Sequence, residues 1–355
     1  MRLWAGDCQC FFAVEICYLI YMDTETLLKN TSRSLYLSVQ ALPKNMRPAF
    51  GIAYLLCRYA DTIADTPLIA PARRLDWIGQ FPALLEEQNQ TQISRLTQEI
   101  EGGSENPYEA ELIRRLAPCL QALNRIRPHQ RACIMEVVRA VCEGMETDLR
   151  TFPPENAGEI KAFACAEDLM HYCRLMGGKP GLFWSKLIYQ LTPVPMPEQD
   201  FYELGQHIGD ALQIVNILRD LPKDLRIGRC YFPQEELAAQ GLAPHDLLDA
   251  KNSARFEPVK RKWIAWGVQR LKSGLAYFEQ LPKMQLGQRA AVAWPILWSA
   301  DTLFKVYQTP DLLNPKKRVK ISRATIYATM ALTPLMLLSN RLFAHALKHK
   351  LQKFH

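Results

Sequence analysis

Ten Cys lie along the 355-residue chain, yet none forms a Cys-x-x-Cys pair; they stand at 8, 10, 17, 57, 119, 133, 142, 165, 173 and 230. Spacing this irregular argues against a disulfide framework, and Cys8 and Cys10 without a second pair argue against a zinc site. Several thiols fall inside apolar helical stretches and read as buried Cys in a reducing compartment. No Gly-x-Gly-x-x-Gly precedes a helix after a strand-like run, which excludes a Rossmann-type dinucleotide site. No basic stripe with interleaved aromatics occurs, so nucleic acid is not expected as a partner. The net charge of +7 is modest. It suits a polyanionic substrate or an anionic membrane surface. The first residues do not read as a signal peptide: Asp7 and Glu15 interrupt the apolar stretch, and only Arg2 precedes it.

Alternating strand patterns are absent as well, and helical periodicity takes their place. Apolar residues recur at spacings of three and four over 27–42, 48–66, 72–88, 108–123, 128–149, 160–191, 198–221, 256–281, 288–307 and 324–353. Pro, Gly and Asn collect between these stretches, as in Pro193-Val-Pro-Met-Pro197. With 48% hydrophobic residues, the chain is expected to be all-α: a single helical domain around a central apolar cavity, its site between facing helices. Residues 1–21 read as a non-catalytic extension, 22–323 as the main domain, and 324–355 as an apolar then basic amphipathic helical end. Residues 324–340 are uncharged but interrupted by Pro334, and 17 residues is the short edge of a membrane span. The segment after them either completes the fold or makes a peripheral membrane contact. The expected location is cytoplasmic, at or near a membrane surface.

Two stretches about 160 residues apart carry the chemistry. On one helix, Tyr54, Arg58, Asp61 and Asp65 fall at spacings of four, three and four. On another, Gln213, Asn216, Asp220 and Asp224 fall at three, four and four, with Arg219 beside them. Residues at these spacings share a helix face, so each set makes a polar stripe in an apolar context. Four converging carboxylates resist ionisation unless a cation sits among them. Mg2+ bridging a polyphosphate supplies that charge. Arg58 and Arg219 fit as phosphate clamps. A single Asp-x-x-x-Asp is ordinarily a solvated helix face; two, each with Arg and apolar flanks, are specific.

These residues carry a family likeness. Ser32-Arg-Ser-Leu-Tyr-Leu-Ser-Val-Gln-Ala-Leu-Pro43, Arg47-Pro-Ala-Phe50, the stretch from Tyr54 to Asp65, His171-Tyr-Cys-Arg-Leu-Met-Gly-Gly178, Gln213 to Asp220 and Gly228-Arg-Cys-Tyr-Phe-Pro233 together resemble the squalene/phytoene synthase family over about residues 30–325. The resemblance implies an isoprenoid synthase fold and head-to-head (1′–1) coupling of two prenyl diphosphates. It also implies Mg2+ and diphosphate handling by Asp61, Asp65, Asp220 and Asp224, with Asn216 at the metal and Gln213 and Tyr54 beside the substrate. Ser32, Ser34, Arg58 and Arg219 would hold phosphate oxygens, and Tyr172 would face a carbocation.

Within the family, Thr62 inside the first motif, Tyr231-Phe-Pro-Gln-Glu235 and Val319-Lys-Ile-Ser-Arg323 are similar to the squalene-forming branch. That branch joins two farnesyl diphosphates through presqualene diphosphate and reduces the product with NADPH. Arg318, Lys320 and Arg323 would then meet the 2′-phosphate, although a solvated basic loop has the same composition. A phytoene or dehydrosqualene synthase, or an enzyme stopping at presqualene diphosphate, shares the first half of the reaction. Two departures stand out. Pro222 between the second pair of Asp is expected to end or kink that helix and put Asp224 on a turn. Lys179 replaces an apolar residue after Gly178, and nothing in the sequence accounts for it.

Overall fold

The computed structural model describes residues 35–66, 69–101, 107–155 and 157–354. Ser32, Ser34, Cys8, Cys10 and the expected 1–21 extension lie outside them. The chain divides into two compact units between Met145 and Glu146. The division has a local reason: each part builds its own buried core around its own central helix.

In the first unit the order is α1 (Leu35–Ala41), α2 (Arg47–Asp65), α3 (Pro71–Glu87), α4 (Gln90–Glu101), α5 (Pro107–Arg114), α6 (Leu116–Asn124) and the start of α7 (Pro128–Thr151). Helix α4 adds to the expected set; Ile93, Leu96 and Ile100 supply its buried face. Central to this unit is α2, which buries Phe50, Ile52, Leu55, Leu56, Tyr59 and Ile63. The Arg74 guanidinium donates to the Ala64 carbonyl at 2.8 Å, satisfying an acceptor at the end of α2.

Glu99 on α4 ties down α3 by accepting from Arg73 (2.9 Å) and from the Trp77 indole (2.7 Å). Hydrogen bonds from Arg73 first, then Trp77 and the Arg73 charge, hold the Glu99 carboxyl down at about 2. A lowered pKa stabilises the fold above the unfolded value of about 4.5, and that stability fades as pH falls toward about 2. Glu99→Gln should therefore cost about 1 kcal/mol at neutral pH. Urea unfolding of both proteins should show the gap narrowing below the unfolded carboxylate pKa.

The second unit begins with the end of α7. It continues through β1 (Lys161–Ala162), α8 (Ala166–Cys173), a π-helical turn (Arg174–Gly178), α9 (Lys179–Leu191), α10 (Glu198–Arg226) and β2 (Arg229–Cys230). Then come α11 (Gln234–Ala239), α12 (Ser253–Leu271), α13 (Ser273–Gln280), α14 (Leu286–Gln308), α15 (Arg323–Leu338) and α16 (Asn340–Leu351). Helix α10 is the spine, packed by α9, the π turn, α12, α13 and α14.

The close approach of α9 and the π turn to α10 depends on glycine. A methyl on Gly209 would run into the Gly177 carbonyl, and one on Gly205 into the Ser185 hydroxyl. Gly209→Ala should therefore destabilise the protein by about 1–3 kcal/mol, read as a lowered melting temperature. Arg174 in the π turn clips onto α10, donating to both Asp210 oxygens at 3.0 and 2.7 Å and to Gln206 at 2.9 Å. Asp210 is only 1% exposed, and burial raises its pKa against the lowering effect of Arg174.

Pro222 does not end α10. The helix runs on to Arg226 and carries Asp224 with it, contrary to the expected turn. Leu218, Leu221 and Leu225 are buried on either side of the proline, and this packing outweighs the one missing backbone donor. The seven described cysteines are free thiols, five of them buried, as the irregular spacing suggested.

Candidate active site

Both sequence stripes form, and burial defines them. Along α2 the neighbours of Tyr54, Arg58 and Asp61 are nearly all buried, while these three are partly accessible and Asp65 is exposed. Arg58 pairs with Asp61. The Thr62 hydroxyl turns back onto the Arg58 carbonyl at 3.0 Å, so the residue between the two Asp serves the helix and not the stripe.

Along α10, Gln213, Asn216, Arg219, Asp220 and Asp224 are likewise the partly accessible positions among buried Ile214, Val215, Ile217, Leu218, Leu221 and Leu225. Arg219 grips the neighbouring Asp220 with two hydrogen bonds, 3.0 and 2.6 Å. Burial first, then the charge of Asp220, pushes the Asp224 carboxyl up to about 7, against the opposing pull of Lys223 and Arg229. An acidic pair in this condition favours a cation, which would stabilise the ionised form. Among the described residues no three His, Cys, Asp or Glu side chains close on one point.

A second group sits beside Asp224, and sequence reading assigned only one of its members. Asp148 on α7 accepts from the Tyr231 hydroxyl at 2.9 Å, from the Tyr172 hydroxyl at 3.1 Å and from Arg229 at 3.4 Å, all on Oδ2. The two phenol rings stack with centroids 4.9 Å apart, and Phe152 and Phe163 close around them. Burial, followed by the Asp148 charge, raises both phenol pKa values, so both keep their protons.

Local structure explains the convergence. The bridge between β1 and β2, with Lys161 donating to Gly228 and Phe163 to Cys230, holds residues 229–231 extended. Alternate residues of an extended segment share a face, which sends Arg229 and Tyr231 to the same carboxylate. Gly228, at φ 82°, makes the turn from α10 into that bridge. A signal for Asp148 does exist in the sequence. Val141 and Met145 on α7 and Phe152 just past its end form a buried stripe, and Asp148 interrupts it as the motif Asp residues interrupt theirs.

Asp61 and Asp65 belong to the first unit, and Asp220, Asp224 and Tyr172 to the second. Arg318 and Lys320 stand exposed in the segment leading into α15, and Arg323 is exposed at that helix's first position. Lys179 opens α9, half-buried, with nothing in the structure to explain it.

The family profile for squalene/phytoene synthase matches residues 28–325, most of the chain and every motif above. The chain belongs to the squalene/phytoene synthase family. Among relatives of this synthase-family chain, a chloroplastic phytoene synthase of Narcissus pseudonarcissus is 30% identical over 195 residues, 54% of this chain and 42% of the relative. A bifunctional lycopene cyclase/phytoene synthase of Phaeosphaeria nodorum is 25% identical over 307 residues, 86% of this chain and 48% of the relative. The chain thus spans about half the length of these curated relatives or less. A solved complex of TcSQS with the ligand E5700 superposes with a TM-score of 0.75, covering 94% of this chain and 97% of that one at 20% identity. At that identity the likeness is one of fold: the all-α isoprenoid synthase fold expected from the sequence.

Proposed function

We propose that this chain is a prenyltransferase that couples two farnesyl diphosphates head to head, and that it is a squalene synthase. One observation carries the reading. On each of two helices an Arg and two carboxylates in helical register stay accessible beside a mostly buried face, with Gln213 and Asn216 on the second. Such stripes are costly beside an apolar core unless they meet a charged ligand. The family match through both motifs makes an allylic diphosphate the best candidate.

In this reading Asp61 and Asp65 of the first unit would hold Mg2+, and so would Asn216, Asp220 and Asp224 of the second. The metal supplies charge neutralisation for the departing diphosphate. Arg58 and Arg219, now paired with Asp61 and Asp220, exchange part of that pairing for phosphate oxygens. Tyr54 and Gln213 orient the substrate. Tyr172 offers its ring to the carbocation, while its proton is committed to Asp148, which fixes the ring's orientation.

For the reductive half, Arg318, Lys320 and Arg323 would hold the 2′-phosphate of NADPH, and the hydride belongs to that cofactor. Thr62 and the 231–235 and 319–323 segments favour the squalene-forming branch. The curated relatives are phytoene synthases, which makes the NADPH-independent reaction the second reading. Incubating the purified chain with farnesyl diphosphate and Mg2+, with and without NADPH, distinguishes them by the hydrocarbon formed. Squalene appearing only with NADPH supports the first reading. A desaturated product independent of NADPH, or presqualene diphosphate as the end product, replaces it.

A further inference from the structure

Between α8 and α9 the backbone does not break. Arg174 through Gly178 form the one π-helical turn among the described residues, and Cys173 before it and Lys179 after it are both right-handed helical. Residues 166–191 are therefore one helix with a widened turn in its middle, where the Lys179 amide donates to the Arg174 carbonyl five residues back. Turns of this kind are rare, occur mostly as single bulges inside α-helices, and gather at functional sites.

The hold on this turn comes from α10. All three guanidinium nitrogens of Arg174 are engaged there, Nε and Nη2 on the two Asp210 oxygens and Nη1 on Gln206. Gly178, one turn on, leaves room for that pair: a methyl there would run into Asp210 Oδ1 and the Arg174 side chain. A methyl on Gly177 would likewise meet the Gly209 carbonyl and Gln213 Cβ. The π turn is thus seated against Asp210 and Gln213, which stand three apart on one face of α10. Farther along that face come Asn216, Asp220 and Asp224.

Stability does not account for the pair. Asp210 is buried, and removing a carboxylate from water offsets much of what its ion pair returns. Apolar residues of similar size ordinarily fill such a place as well or better. Arg270, over the Trp266 ring, approaches the same carboxylate only to 4.0 Å, beyond hydrogen-bond reach. What the Arg174 fork supplies, and hydrocarbon does not, is direction: two parallel N–H···O bonds set both the height and the rotation of the turn against α10.

Tyr172 stands two residues before Arg174 on the same helix. Its hydroxyl is tied to Asp148 at 3.1 Å, which orients the ring from its far end. The near end, the backbone that carries the ring, is placed by the clip. We propose that Arg174 and Asp210 are positioning residues of the reaction: through the π turn they fix Tyr172 relative to the face of α10 that carries Gln213 to Asp224. The proposal rests on the prenyl diphosphate coupling assigned above, and it gives neither residue a contact with substrate.

The double variant Arg174→Met, Asp210→Leu separates positioning from stability in the full-length protein. It should melt at or above the wild-type temperature. Its kcat on farnesyl diphosphate should nevertheless fall about tenfold or more, with KM moving less than about twofold. Arg174→Lys keeps the charge but cannot grip both oxygens and Gln206 at once, so it should show the same split with a smaller loss. Should the double variant melt early, Arg174→Lys decides by the same readings. A readout without substrate comes from 3-fluorotyrosine placed at position 172. Its fluorine NMR signal should be single and sharp in the otherwise wild-type protein, and shifted or doubled in both variants. Wild-type kcat in the folded variant overturns the proposal, as does a loss carried by KM or an unchanged fluorine signal. If the wild-type protein releases no diphosphate from farnesyl diphosphate, the assigned reaction fails instead, and the fluorine signal alone decides whether the pair places Tyr172.

Discussion

Asp220→Asn is expected to lower kcat/KM for farnesyl diphosphate by about 10³-fold or more, with Asp61→Asn doing the same from the other unit. The change is nearly isosteric, and Asp61 and Asp220 are each only partly buried, so both variants should fold with melting temperatures close to wild type. In Asp220→Asn, the two hydrogen bonds from Arg219 lose their charged acceptor and the field on Asp224 falls. Raising Mg2+ should recover part of the lost rate if the carboxylate's job is to hold the metal. Diphosphate release assayed across a Mg2+ titration checks both statements. Wild-type turnover in either variant would remove the metal-and-diphosphate assignment altogether.

The second large effect is expected at Asp148. Deleting its side chain with Asp148→Ala leaves two buried phenols and Arg229 without their shared acceptor, a loss of about 3–5 kcal/mol in stability. Asp148→Asn is the informative variant. An amide can accept from one phenol, but it presents N–H groups to the other, so the stacked pair loses its fixed orientation. If Tyr172 acts through that orientation, kcat should fall by about 10²-fold while KM for farnesyl diphosphate moves little. Steady-state kinetics on Asp148→Asn and Tyr172→Phe together test the coupling. The double variant should lose little beyond the worse single variant, whereas two independent contributions would multiply.

Residues that declared themselves in the sequence are those whose signal is periodic. The stripes of α2 and α10 were visible because polar side chains recur at three and four in a run that is otherwise apolar, and helix geometry converts that spacing directly into a face. Asp148 obeys the same logic, interrupting the run of Val141, Met145 and Phe152, but one acid in one stripe has no partner in the sequence to give it meaning. Its partners Tyr172, Arg229 and Tyr231 come from three other places in the chain. Pro222 misled because its helix cost is local, whereas the leucines that hold α10 together across it act through tertiary packing. For α15, periodicity locates the helix but not its inner side, since Leu and Thr alternate around it at comparable spacings.

By itself, then, the order of residues determined an all-α chain, two acidic stripes with their arginines, and an acid-free basic end, since each follows from repeats within a few turns of one helix. Tertiary structure alone decided that a carboxylate on α7 binds two tyrosines and an arginine, that Asp210 is sealed under Arg174, and that Leu332, Leu335 and Leu338 of α15 face outward. These outcomes depend on which surfaces meet, and burial is a property of the assembled fold that no single helix carries.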